Sequence, residues 1–210
     1  MQVVDENSME VVAILDMSGS MEPLTDATIA GFNVYVEGLA QIQKDVFITL
    51  ITFNSASKVV WEHQNVKQCP KISREEYMPN NGTALTDALG TAITNMKALV
   101  SQQQSKPGKV SFFVTTDGQE NESTKFTQKQ VKEMIVRQTD EEKWEFIFAG
   151  ANIDAFATSN NYGIQQNNTV QIGNDRQSTR NYYTSMSTRY NMSEKDQKTN
   201  SIQHIYNTTS

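Results

Sequence analysis

The chain has 210 residues and a formal net charge of −6. That is room for one domain, or one domain and a tail, and a domain of this size buries roughly 70% of the surface of its unfolded chain, so its core needs no staples. The acidic balance, with no dense lysine or arginine run, argues against nucleic acid as a partner. No apolar run approaches the roughly 20 residues of a membrane span, and the N-terminus lacks the basic-then-apolar pattern of a signal peptide. The single cysteine, Cys69, cannot form an internal disulfide. Together these features set the expectation of a cytoplasmic protein.

In chain order, apolar runs alternate with segments of helical period. Residues 11–15 (Val-Val-Ala-Ile-Leu) predict a strand buried on both faces. Residues 24–43 carry Phe32, Val36, Leu39 and Ile42 on one helical face. A second buried strand follows at 46–53, and the turn at Asn54-Ser55 leads to residues 58–61 as an antiparallel edge. Residues 84–103 read as a helix, ended by Lys106-Pro107-Gly108. Strands at 110–114 and 144–148 bracket a helix at 128–138, and Asp154 is placed to cap a short helix. Residues 169–172 form a last, weak strand. Tyr182, Tyr183, Met186 and Tyr190 lie on one stripe of a terminal helix, read as core packing. Residues 1–190 are thus expected as the domain, with 191–210 as a polar, mobile tail that has little to bury.

Repeated strand-helix-strand units predict an α/β fold: a doubly wound, Rossmann-like, mostly parallel six-stranded sheet with one antiparallel edge strand and helices on both faces. In the order 3-2-1-4-5-6, strands 1 and 4 are neighbours about 4.8 Å apart, and the binding crevice lies beyond their carboxyl ends. Asp16 ends strand 1 and Asp117 ends strand 4. Ser18 and Ser20 follow in the turn after Asp16, and Thr83 lies in the turn before the helix at 84–103. Two carboxylates and three hydroxyls make an all-oxygen set suited to a hard divalent cation. Mg2+ takes about six oxygens near roughly 2.1 Å and keeps several waters. The two aspartates balance its charge, and five protein oxygens leave the shell open. A carboxylate from another protein would complete it.

The spacing Asp16-x-Ser18-x-Ser20, with Gly82-Thr83 and Thr116-Asp117-Gly118 following in order, resembles the von Willebrand factor A domain and its metal-ion-dependent adhesion site. The resemblance spans roughly residues 9–172. It implies that Asp16, Ser18, Ser20, Thr83 and Asp117 bind the metal, with the aspartates acting directly or through water. It also implies Mg2+ as the cofactor, with Mn2+ or Ca2+ as alternatives, and a protein partner offering Asp or Glu. The runs at 29–33 and 146–155 look more like compact intracellular bacterial and phage members, which would place the protein in the cytoplasm, or in the host cytoplasm if phage-encoded. One departure is Asn81, where many relatives have glycine.

Thr86, Asp87, Asn152 and Asp154 are expected to cap helices rather than bind metal. Glu22 suits the first turn of a helix. His63 and His204 are expected at the surface and lack the context of a catalytic triad. Three functions are compatible with the site. The first is capture of an acidic side chain through the bound cation, with no enzymatic activity. The second is an assembly role in which the ion only stabilises the loops, and the third, least favoured, is a metal-dependent phosphohydrolase. Against the last, the position two residues after Asp16 is Ser18 rather than a second carboxylate, and no phosphate loop or nucleophile elbow is present.

Overall fold

The computed structural model describes residues 2–192 and 194–209; Ser193 and Ser210, both within the expected tail, lie outside the described residues. Six strands form one sheet: β1 (Val3–Asp16), β2 (Asp45–Phe53), β3 (Ser57–Asn65), β4 (Ser105–Thr116), β5 (Glu145–Gly150) and β6 (Thr169–Gln171). Their spatial order is β3-β2-β1-β4-β5-β6, with β3 antiparallel to β2 and every other pair parallel. The expected topology is therefore the observed one.

The core lies in two layers because both faces of the sheet are covered. From β1, Val11, Ala13 and Leu15 enter one layer while Val12 and Ile14 enter the other, so a strand of alternating side chains reads as one unbroken apolar run. Helices α1 (Thr25–Leu39) and α5 (Arg176–Asn191) cover the first face with Phe32, Tyr35, Tyr182, Tyr183 and Met186. Helices α2 (Leu85–Gln102), α3 (Gln128–Glu142) and α4 (Ala155–Asn161) cover the second. Close approach of α1 to α5 depends on small residues: a methyl group at Gly38 would come within 2.8 Å of the Ser187 hydroxyl, and one at Gly31 would run into the Tyr183 ring.

Three expectations are corrected. First, β1 starts at Val3, eight residues ahead of the apolar run, and its exposed leading half pairs with the start of β4. Lys106-Pro107-Gly108, expected to end the helix over 84–103, is accordingly part of β4, the helix having stopped at Gln102, and Pro107 sits at the register break between Asp5 and Met9, a place where a missing N–H is tolerated. Second, the helix expected over 24–43 begins at Thr25, behind a 3-10 turn over Gly19–Leu24 that holds Pro23, and ends at Leu39. Third, the segment beyond Met192 does bury side chains. It forms α6 (Glu194–Thr199) and α7 (Ile202–Thr209), and α7 packs Ile202 and Tyr206 into the α1–α5 layer. The apolar positions Ile202, Ile205 and Tyr206 are spaced as one helical face, a signal too short to stand out among polar residues.

Candidate metal centre

Asp16 is fully buried at the end of β1, opposite Phe53 of β2. Its Oδ1 accepts the Ser18 backbone N–H at 2.7 Å, and its Oδ2 accepts the Thr116 hydroxyl. The buried Tyr77 hydroxyl donates to the Asp16 carbonyl. In the turn that follows, the Ser18 and Ser20 hydroxyls lie 3.1 Å apart, and Ser20 donates to Asp117 Oδ1 at 2.6 Å. Thr83 reaches the same place from the turn before α2. A methyl group on Gly118 would lie 2.9 Å from Thr83 Oγ1 and 3.7 Å from Ser20 Oγ, so Gly118 is what lets the three turns close around one point. All five residues singled out in the sequence thus converge at the carboxyl ends of β1 and β4. Ser18, Thr83 and Asp117 are nearly buried and Ser20 is exposed, so the cluster opens to solvent on one side.

Backbone bonds hold the turns together independently of these side chains. Gly19 N donates to Asn81 O at 3.0 Å, Asn80 N to Met17 O at 3.0 Å, and Ala84 N to Asn54 O at 2.8 Å. Asn81 adopts φ +60°, the left-handed conformation that asparagine tolerates better than other side-chain-bearing residues. Its occupation of a position where glycine is common in the resembling family therefore has a physical basis.

The loop after β4 is fastened by residues that sequence reasoning missed or cast differently. Asp87 does not cap its own helix. Its carboxylate accepts the backbone N–H groups of Thr124, Lys125 and Phe126, and although burial pushes its pKa up, these bonds win and hold it below the ordinary value. Glu120 instead caps α2 from outside: it accepts Thr86 N at 2.7 Å and the Ser123 hydroxyl at 2.7 Å, while Ser123 Oγ accepts Asp87 N. Asn121 brackets Thr83, its Oδ1 accepting Thr83 N and its own N–H donating to Thr83 O. Thr86 turns inward to the Tyr162 hydroxyl at 2.7 Å. None of these tertiary caps has a local sequence signal. Asp154 does cap α4 as expected, through Ala157 N. Asn152 is a left-handed turn residue with φ +53°.

The electrostatics single this cluster out. Burial pushes the Asp16 carboxyl up against the hydrogen bonds of Thr116 and Ser18, and neighbouring Asp117 pushes it further. Burial likewise raises Asp117 against the bond from Ser20. Asp117 Oδ2 is buried and has no hydrogen-bond partner among the described residues. Two desolvated carboxylates with an orphaned oxygen and two adjacent hydroxyls fit a small hard cation. Among the described residues no three acidic, histidine or cysteine side chains gather as a metal site; this cluster has two carboxylates and three hydroxyls.

The histidines lie elsewhere. His204 is exposed on α7. His63, expected at the surface, is half-buried on β3, where its ring stacks on Phe47 and its Nδ1 lies 3.0 Å from the Glu10 carboxylate. The Cys69 thiol is half-buried and pushed up to about 11 by burial, as suits an inert residue.

The architecture is that of von Willebrand factor A domains. Among solved structures, the chain is similar to the vWF domain of the type V pili tip protein Mfa5 from Porphyromonas gingivalis, with 11% identity, a TM-score of 0.62, and coverage of 91% of this chain and 96% of that one. It is similar to a von Willebrand factor type A protein from Catenulispora acidiphila, with 16% identity, a TM-score of 0.60, and coverage of 88% and 42%. It is also similar to proximal thread matrix protein 1 from the mussel byssus with a zinc-occupied MIDAS motif, with 10% identity, a TM-score of 0.61, and coverage of 89% and 48%. The chain spans less than half the length of the last two. No protein-family model matches the sequence, and no curated protein matches it.

Proposed function

We propose that Asp16, Ser18, Ser20, Thr83 and Asp117 hold a divalent cation, Mg2+ in the first place, and that the protein binds a partner whose Asp or Glu side chain completes the cation's oxygen shell. The ion supplies a Lewis-acidic anchor for that carboxylate; the chain supplies charge balance through two aspartates and an opening on the Ser20 side. The observation that carries this reading is the unpartnered, buried Oδ2 of Asp117 beside a second desolvated carboxylate. A structurally similar protein is described with a zinc-occupied MIDAS motif, which supports cation binding by this fold.

A purely stabilising ion is the weaker reading, because backbone hydrogen bonds already join the turns at Gly19, Asn81, Ala84 and Asn54. A phosphohydrolase is weaker still. His63 pairs with Glu10 and lies away from the cluster, and the Glu120 carboxylate is taken up by the α2 cap. The test combines calorimetric Mg2+ titration of wild type and Asp16→Ala with partner capture in Mg2+ and in chelator. Saturable Mg2+ binding and chelator-sensitive capture, both lost in Asp16→Ala, are expected. Capture that survives both chelation and the substitution would overturn the proposal.

A further inference from the structure

Away from the cluster at Asp16 and Asp117, beside Met9 of β1, Lys109 of β4 and the start of β5 at Glu145, a cavity of 480 Å³ opens against the end of α5. Its described lining carries four cationic side chains, Lys44, Lys109, Lys143 and Arg189, against one carboxylate, Glu145. In a chain of net charge −6 this local excess of cations is the reverse of the average. Arg189 and Lys109 share Glu145, at 2.6 and 3.2 Å. Among the described residues Lys44 and Lys143 meet no carboxylate: Lys44 Nζ reaches the Glu6 carbonyl at 3.1 Å, and Lys143 Nζ the Asp140 carbonyl at 2.6 Å. Two positive charges thus have no carboxylate partner among the described residues at a concave, amide-rich pocket.

Two details add to the charge count. Arg189 is 3% exposed, and its Nε has no acceptor among the described residues although both terminal nitrogens are used, so its donor capacity exceeds what the fold consumes. Lys143 ends α3 in the left-handed conformation, φ 59°, a position that glycine fills at least cost. A lysine held there puts an ammonium at the rim in place of the easier backbone. The volume lies within the range of small-molecule sites, which span about 300–1,000 Å³.

We propose that this cavity binds a small phosphate-bearing anion. Lys44 and Lys143 would meet the phosphate as point charges, while the amide-lined wall has room for the remainder of the molecule. The site stands apart from the cluster at Asp16 and Asp117 and does not depend on that reading. It is tested by titrating inorganic pyrophosphate into the wild-type protein in chelator, by calorimetry and thermal melting, so that no cation is held at the other end. Saturable binding with a raised melting temperature is expected, weakened about tenfold or more in Lys44→Gln/Lys143→Gly. Glycine at 143 suits the left-handed backbone, so this variant should melt no lower than wild type in the absence of anion. Absence of saturable binding, or equal binding by the double variant, would overturn the proposal and leave the metal centre untouched.

Discussion

The two ends of the sheet treat buried carboxylates in opposite ways. At the carboxyl ends of β1 and β4, burial raises Asp16 and Asp117, and the main groups that act on either are hydroxyls, backbone N–H groups and, for Asp16, the other aspartate. At the start of β5, burial also pushes Glu145 up, but Lys109 and Arg189 outweigh it and hold the carboxyl below its ordinary value. A buried charge is tolerated when it is paired and hydrogen-bonded, and is costly otherwise. The fold supplies its own cations at one end. At the other it buries two carboxylates whose pKa values burial raises, and the proposed metal supplies them with a cation.

The strongest way to break this contrast is to give the metal end an internal cation. Ser20→Lys places an ammonium beside Asp117, and we expect Mg2+ binding to be lost in calorimetry while the melting curve stays cooperative. Retained binding would show that charge demand does not define the site. At the other end, Glu145→Gln strips the counter-charge from the buried Arg189 and should cost about 3–5 kcal/mol in denaturant unfolding. Ile202→Ala should cost about 2–4 kcal/mol if α7 is an integral part of the α1–α5 layer, and a change near zero would contradict its burial.

Smaller effects sharpen the comparison. Mg2+ at a hundredfold excess over its dissociation constant should stabilise the protein by about 2.7 kcal/mol, and not at all in Asp16→Ala. The pH dependences should diverge as well. Because Asp16 and Asp117 are raised, protons should compete with Mg2+ above the ordinary carboxylate range, and titrations at falling pH should show affinity declining there. Glu145 and Asp87 are lowered, so their stabilisation is fully present above their unfolded values, 4.5 and 3.8, and is lost as pH falls through the folded ones. Acid unfolding of Asp87→Asn should therefore be shallower than that of wild type.

Much of the fold was legible because burial on both faces of a parallel sheet leaves an unbroken apolar run, as at Val11 to Leu15, and covering helices repeat every three to four residues, as at Phe32 and Val36. The edges were less legible. The leading half of β1 is exposed and polar, and its strand character comes from pairing with β4 rather than from hydrophobicity. The polar C-terminal stretch concealed α7, since three apolar residues become a helix face only when β6 and α5 are there to receive them.

The site divides along the same line. The meeting of the five residues proposed as donors could be read from sequence because aspartates and hydroxyls at strand ends follow from topology, and strands 1 and 4 must be neighbours in this order. Thr116 and Tyr77 on Asp16, and Glu120 and Asn121 around Thr83 and α2, could not be read, since each acts across a loop rather than within its own element. The cationic end was equally hidden: Lys44, Lys109, Lys143 and Arg189 are scattered along an acidic chain, and no run of basic residues announces them. Local pattern determined which residues become strands and helices and which donors stand at strand ends. Only the tertiary structure decided which charges meet, because the pairing of buried groups depends on distances set by packing and not by separation along the chain.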